Sequence, residues 1–218
     1  MYSTTLTPQR NHGARTMWKN QRQPGARFLL WVDGVGGYLV CLADDVVLGQ
    51  AVPQGGADVP VLGDLSRVHA TIVRRGESYV LQSQAATWVE GRRLSAACPL
   101  SDGDEVQLGS SFRLRFRRPH PLSATCRLDF LSHHRTQPAA DGVLLMAHSC
   151  ILGPAPTSHV VCRHWPQDVV LVRHGQQLRC HASQPLEVDG QSCGNTAPIT
   201  MRSRVVGADF CLSLEPFE

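Results

Sequence analysis

The stretch Leu62-Gly63-Asp64-Leu65-Ser66-Arg67-Val68-His69-Ala70-Thr71-Ile72 decides how the rest of the chain is read. Gly63 and Asp64 punctuate a turn. From Val68 onward the residues alternate, with Val68, Ala70 and Ile72 on one side and His69, Thr71 and Val73 on the other. A period of two marks a strand with one face toward a core. The turn therefore delivers a hydroxyl, a guanidinium and an imidazole to the lip of a sheet, where loops are free to bind.

Working outward, the neighbouring segments carry the same signature. Runs 27–32, 37–42 and 45–48 are short and rich in β-branched or aromatic residues, and Asp33-Gly34-Val35-Gly36-Gly37 and Ala43-Asp44 separate them as hairpin turns would. Further strands are predicted over 58–62, 68–74, 78–82, 105–108 and 112–117. In the last of these Phe112, Leu114 and Phe116 alternate with Arg113, Arg115 and Arg117, giving a core face and a wet, basic face. No segment has sustained helical spacing, so the expected fold is all-β.

The second half echoes the first. Val46-Val47-Leu48-Gly49 returns as Cys150-Ile151-Leu152-Gly153, Val89-Glu90-Gly91 as Val188-Asp189-Gly190, and Leu108-Gly109-Ser110-Ser111-Phe112 as Val206-Gly207-Ala208-Asp209-Phe210. Strands over 168–173 and 177–181 take the places of 68–74 and 78–82, and 125–130 supplies a first strand. This is a tandem repeat of one sandwich. The expected organisation is a basic, disordered arm over 1–26, a sandwich over 27–118, a linker over 119–124 stiffened by Pro119 and Pro121, and a degenerate second sandwich over 125–218. Residues 132–140 are read as a loop.

The run Ser66-Arg67-Val68-His69 resembles the serine, arginine, any residue, histidine core of forkhead-associated (FHA) domains. Leu48-Gly49, Val89-Glu90-Gly91 and Leu100-Ser101-Asp102-Gly103-Asp104-Glu105-Val106-Gln107-Leu108-Gly109 fall in the order of that family's landmarks. The resemblance implies two tandem FHA-like antiparallel β-sandwiches and recognition of phosphothreonine peptides. A phosphothreonine carries nearly two negative charges and three acceptor oxygens, so its receptor needs fixed cationic donors. By resemblance Ser66 and Arg67 are phosphate contacts and His69 braces the turn.

Other positions depart from the family. Gln50 stands where the phosphate-binding arginine is implied, and Ala85, two residues after Ser83, stands where an asparagine is implied to hold the peptide backbone. Hydrogen bonds to charge are worth about 1.5–3 kcal/mol each, so losing two weakens binding roughly a hundredfold to ten-thousandfold. The expected phosphopeptide contacts are Ser66, Arg67, Gln50 and Ser83. Arg92 joins them as a compensating cation if its loop, with Arg93, lies at the same end, and Arg74 and Arg75 are alternatives. In the second half Pro154 and Trp165-Pro166-Gln167-Asp168 replace the binding elements, leaving Asn195 as a lone candidate. Trp165 is read either as an exposed partner anchor or as a core residue.

The 218 residues, 42% of them hydrophobic, suit one or two cores, and the net charge of +3 is modest. Positive charge gathers at the front, where Arg10, Arg15, Lys19, Arg22 and Arg27 meet no acid before Asp33, and Lys19 is the only lysine. No run approaches the roughly 20 apolar residues of a membrane span, and the first 26 lack a signal-peptide core, so a cytoplasmic protein is expected. The eight cysteines show no zinc-site spacing and are expected reduced and mostly buried. Ser66 and His69 point to opposite faces of the predicted strand, which argues against a Ser-His dyad. No enzyme, cofactor or metal is predicted. Three readings stay open: a phosphothreonine-reading adaptor in a Ser/Thr kinase pathway, a phosphate-independent scaffold, and, least favoured, a nucleic-acid contact through the arm and the arginine face.

Overall fold

The computed structural model describes residues 26–217, so the predicted basic arm, Ala26 apart, lies outside the described residues. Every regular element among them is a strand, as the absence of helical spacing requires. The first half contains β1 (Arg27–Val32), β2 (Gly36–Cys41), β3 (Asp45–Gln50), β4 (Val59–Leu62), β5 (Ala70–Arg75), β6 (Ser78–Ser83), β7 (Thr87–Val89), β8 (Arg92–Arg93), β9 (Cys98–Leu100), β10 (Glu105–Leu108) and β11 (Phe112–Arg117). The second contains β12 (Cys126–Phe130), β13 (Arg135–Thr136), β14 (Gly142–Leu145), β15 (Ser149–Gly153), β16 (Val160–Val161), β17 (Val169–His174), β18 (Gln177–His181), β19 (Glu187–Val188), β20 (Gln191–Ser192), β21 (Thr196–Ile199), β22 (Arg204–Val206) and β23 (Cys211–Pro216). The stretch 132–140 is therefore not all loop, because β13 pairs there with β4, Arg135 opposite Leu62 and Thr136 opposite Val61.

The strands form one twelve-stranded sheet, ordered β20-β19-β22-β23-β1-β2-β14-β12-β11-β10-β7-β8, and two smaller sheets, β13-β4-β3-β5-β6-β9 and β16-β15-β17-β18-β21. Apart from β13, the two halves pair in the same order, but with one exchange. The closing strand β11 pairs with β12, and β23 pairs with β1. Each half is thus completed by the opening hairpin of the other. The join is a parallel pair, β2 with β14, with Leu39 opposite Val143 and Val40 opposite Leu144.

That join decides where the cores lie. Leu39, Cys41, Val143 and Leu145 face the first core, with Leu48, Ile72, Leu81, Phe112 and Phe116. Val40, Leu42, Leu144 and Met146, one residue out of phase, face the second, with Phe28, Leu30, Leu152, Leu171 and Leu212. The two small sheets therefore cover opposite faces of the large one. Strands covered on both faces read as continuous apolar runs, which is why Gly142–Leu145 is buried at every position. Each fully buried leucine or phenylalanine contributes about 1.5–3 kcal/mol, and the shared strands place such residues in both cores.

Candidate functional site

The segment between β4 and β5 holds the Ser66 turn at one end of the first sandwich. Ser66 and Arg67 are exposed, while His69 beside them is buried. The Ser66 N–H donates to His69 Nδ1 (3.2 Å), so in the neutral ring Nε2 carries the proton and donates to the Ala86 carbonyl (2.9 Å). Gly109 N–H donates to that same carbonyl at 2.9 Å, and the His69 backbone N–H donates to the Leu48 carbonyl at 2.9 Å. Gly109 N also lies 3.1 Å from His69 Nε2, so one imidazole meets three connections: β4 to β5, β6 to β7, and β10 to β11.

Glycines let these loops close. A Cβ on Gly49 would lie 2.0 Å from the Arg67 carbonyl oxygen, so only glycine lets β3 pass beneath the turn. Gly109 adopts φ +62° and packs against the Asp64 carbonyl and Leu65. These are physical reasons for the Leu48-Gly49 and Leu108-Gly109 landmarks.

Gln50 N–H donates to the Ser66 carbonyl (3.0 Å), which puts the Gln50 side chain at the lip, half-buried. Ser83 pairs with Ala70 at the rim end of β5. The N–H groups of Gln84 and Ala85 donate to the His69 carbonyl at 2.9 and 3.1 Å. Ser66, Arg67, Gln50 and Ser83 are thus brought to one end around His69.

Arg92 is placed elsewhere. It pairs with Val89, three residues along β7 from Ala86, roughly 10 Å from the lip at strand rise, beside the Glu90-Gly91 turn. Arg74 and Arg75 lie at the far end of β5, ion-paired with Asp44 and Asp45. On the arginine face of β11, Arg115 pairs with Glu105 (2.5 Å) and Arg117 with Asp102 (3.0 Å), so much of its charge is spent within the protein.

Sequence reasoning missed the contribution of the other half. Between β12 and β13 the chain crosses the same rim. His134 Nε2 lies 3.3 Å from Ser111 Oγ, its ring meets Phe112 edge-on (5.6 Å), and a Cβ on Gly63 would touch it. Arg135 follows, exposed, opposite Leu62. Short polar runs carry no signal of such a crossing.

In the second sandwich the equivalent loops carry different chemistry. Trp165 is buried and its ring centroid lies 5.3 Å from that of Phe210, which decides for the core alternative. Asp168 precedes β17 as His69 precedes β5, but it is exposed. His159, buried beneath β15, accepts a hydrogen bond from the Ile151 N–H at Nδ1 (2.9 Å), and its Nε2 has no partner among the described residues. Burial first, then the charges of His120 and Arg127, pull its pKa down to about 4. Among the described residues no cluster of three or more His, Cys, Asp or Glu could hold a metal ion. No helix there is long and apolar enough to cross a membrane.

Compared with known proteins, residues 46–109 match the FHA domain family. No curated protein matches the chain. Among solved structures, Mycobacterium tuberculosis EmbR in complex with a low-affinity phosphopeptide aligns at 29% identity over 38% of this chain, with a TM-score of 0.28. The aligned part is 22% of that EmbR chain, so this protein spans well under two thirds of it. A structure described as Rv0020c_FHA aligns at 24% identity over 40% of this chain and 88% of its own, also with a TM-score of 0.28.

Proposed function

From the FHA domain that occupies residues 46–109, we infer that this protein is a non-enzymatic protein-interaction adaptor whose first sandwich reads phosphothreonine peptides through the Ser66 turn. The observation that carries the reading is the pairing of exposure with rigidity. Ser66 and Arg67 face solvent, yet the turn beneath them is held by the buried His69 ring, whose Nε2 meets the Ala86 carbonyl and Gly109 N of two further loops. A hydroxyl donor and a guanidinium fixed on rigid backbone suit a dianionic phosphate, and Arg67 can engage two of its oxygens at once.

Gln50 and Ser83 complete the lip as neutral donors, so binding is weak beside a receptor carrying a second arginine. The protein then serves a Ser/Thr kinase pathway, with a phosphorylated partner protein as ligand, in the cytoplasm. Residues 27–118 and 125–218 are two copies of one module, the second kept for its fold. The experiment is binding to a phosphothreonine peptide library before and after phosphatase treatment, with Ser66→Ala and Arg67→Ala as controls. Loss of binding on dephosphorylation and in both variants is expected.

One observation favours a second reading. The Ala85 N–H is turned inward onto the His69 carbonyl, so the site where a peptide-holding side chain is implied offers none. A scaffold that binds its partner without phosphate would leave the bound set unchanged by phosphatase.

A further inference from the structure

We propose that the cleft between the two halves, at the end of β5 away from Ser66, is a binding site for a small carboxylic acid held by the Arg173 guanidinium. The cleft, about 310 Å³, lies where the parallel pairing of β2 with β14 brings the turns after those strands side by side, and its size is at the small end of ordinary ligand sites. Ala43, Asp44 and Arg74 line it from the first half, and Ala147, His148 and Arg173 from the second.

Strand register makes these residues equivalents. Asp45 stands opposite Val73 and Ser149 opposite Val172, so Asp44 corresponds to His148 and Arg74 to Arg173. The backbone agrees, since Arg74 N–H donates to the Asp44 carbonyl (2.8 Å) and Arg173 N–H to the His148 carbonyl (2.7 Å). The charges do not. The Asp44 carboxylate pairs with Arg74, whereas a histidine takes its place in the second half and Arg173 has no carboxylate partner among the described residues. Its half-buried guanidinium is nonetheless fixed: Nε donates to the Gly175 carbonyl (2.8 Å), and Nη1 reaches across the join to the Leu42 carbonyl (2.5 Å). Nη2 has no partner among the described residues. Such a cation, aimed by carbonyls and left without its counter-charge, is matched by a carboxylate in the place that Asp44 takes on Arg74. A dianion such as phosphate is repelled more strongly by Asp44 on the facing wall, and Ala43 and Ala147 offer apolar surface to a short carbon chain.

Butyrate is the probe. The full-length, isotope-labelled protein is titrated with it, and the Arg173 Nε–H signal and the backbone N–H signals of Ala147 and His148 are followed by NMR. Saturable shifts with a dissociation constant of about 10 mM or tighter are expected. Butyramide, which keeps the shape without the charge, and inorganic phosphate should each bind at least about tenfold more weakly. His148→Asp gives the second half the carboxylate that the first half carries, so Arg173 is occupied and butyrate should bind about tenfold or more weakly. Arg173→Gln, read through the two backbone signals, should show a loss of the same order. Shifts that do not saturate, butyramide or phosphate binding as tightly as butyrate, or an unchanged butyrate affinity in either variant overturns the proposal.

Discussion

Replacing His69 with alanine tests the bracing geometry most severely. The ring is buried; it accepts from Ser66 N–H, donates to the Ala86 carbonyl, and its Nε2 also lies 3.1 Å from Gly109 N. Each hydrogen bond is worth about 1 kcal/mol net, and the Ser66 N–H is then left without its acceptor. The Ala86 carbonyl keeps its bond from Gly109, so the loss there is partial. Adding the void left by the imidazole, the expected destabilisation is about 2–4 kcal/mol. For a chain of this size that lowers the melting temperature by roughly 4–16 °C, at about 2–4 °C per kcal/mol. Urea denaturation of wild type and His69→Ala, followed by tryptophan fluorescence and far-UV circular dichroism, measures the difference. Phosphate-dependent binding should fall with it, because Ser66 loses its anchor. A change below about 0.5 kcal/mol, the usual scatter of surface substitutions, would refute the bracing argument.

Other predictions concern charge, closure and pH. Gln50→Arg places a cation beside the Ser66 turn and should raise affinity for a phosphothreonine peptide by about 10- to 150-fold, measured by fluorescence anisotropy; unchanged affinity would mean that phosphate does not sit there. A fragment covering 27–118 keeps β1 and β2 but loses β12 and β14, and with them Cys126, Leu128, Val143 and Leu145 from the first core. It should fail to fold as a monomer, and a dispersed amide NMR spectrum from that monomer would count against the exchanged topology. His159 has a folded pKa near 4 against about 6.5 when unfolded, so the unfolded chain binds the extra proton between those values. Its contribution is fully present above about pH 6.5 and is lost as the pH falls toward 4, by up to about 3 kcal/mol. His159→Asn should flatten that part of the stability curve measured by urea titration at each pH.

Much of the fold was legible because its signals are local. Alternation in Phe112–Arg117 gives a strand with one buried face, and the buried-exposed pattern follows it residue by residue at the core positions. The Ser66 turn and its glycines were readable for the same reason: a close approach such as Gly49 beneath Arg67 forces a residue type at a fixed place. Pairing partners are not local. Nothing in Arg27–Val32 says whether it completes its own half or the other, since the exchanged hairpins meet equivalent edges. The only trace was that runs such as Val143-Leu144-Leu145-Met146-Ala147 do not alternate, as befits strands covered on both faces. Arg92 shows the same limit at the site. The Glu90-Gly91 turn was plain, but the end of the sheet to which it points depends on β7 pairing with β10. His134 and Arg135 reach the rim through β13, a two-residue strand whose only cue is tertiary.

Titration calorimetry of the full-length protein with one phosphothreonine peptide selected from the library, and with the same peptide dephosphorylated, tests the central claim most directly. Measurable binding is expected that disappears without the phosphate and weakens about tenfold or more in Arg67→Ala, the loss of one charged hydrogen bond. Equal affinity for the two peptides, or an Arg67→Ala protein that binds as wild type does, would contradict that claim.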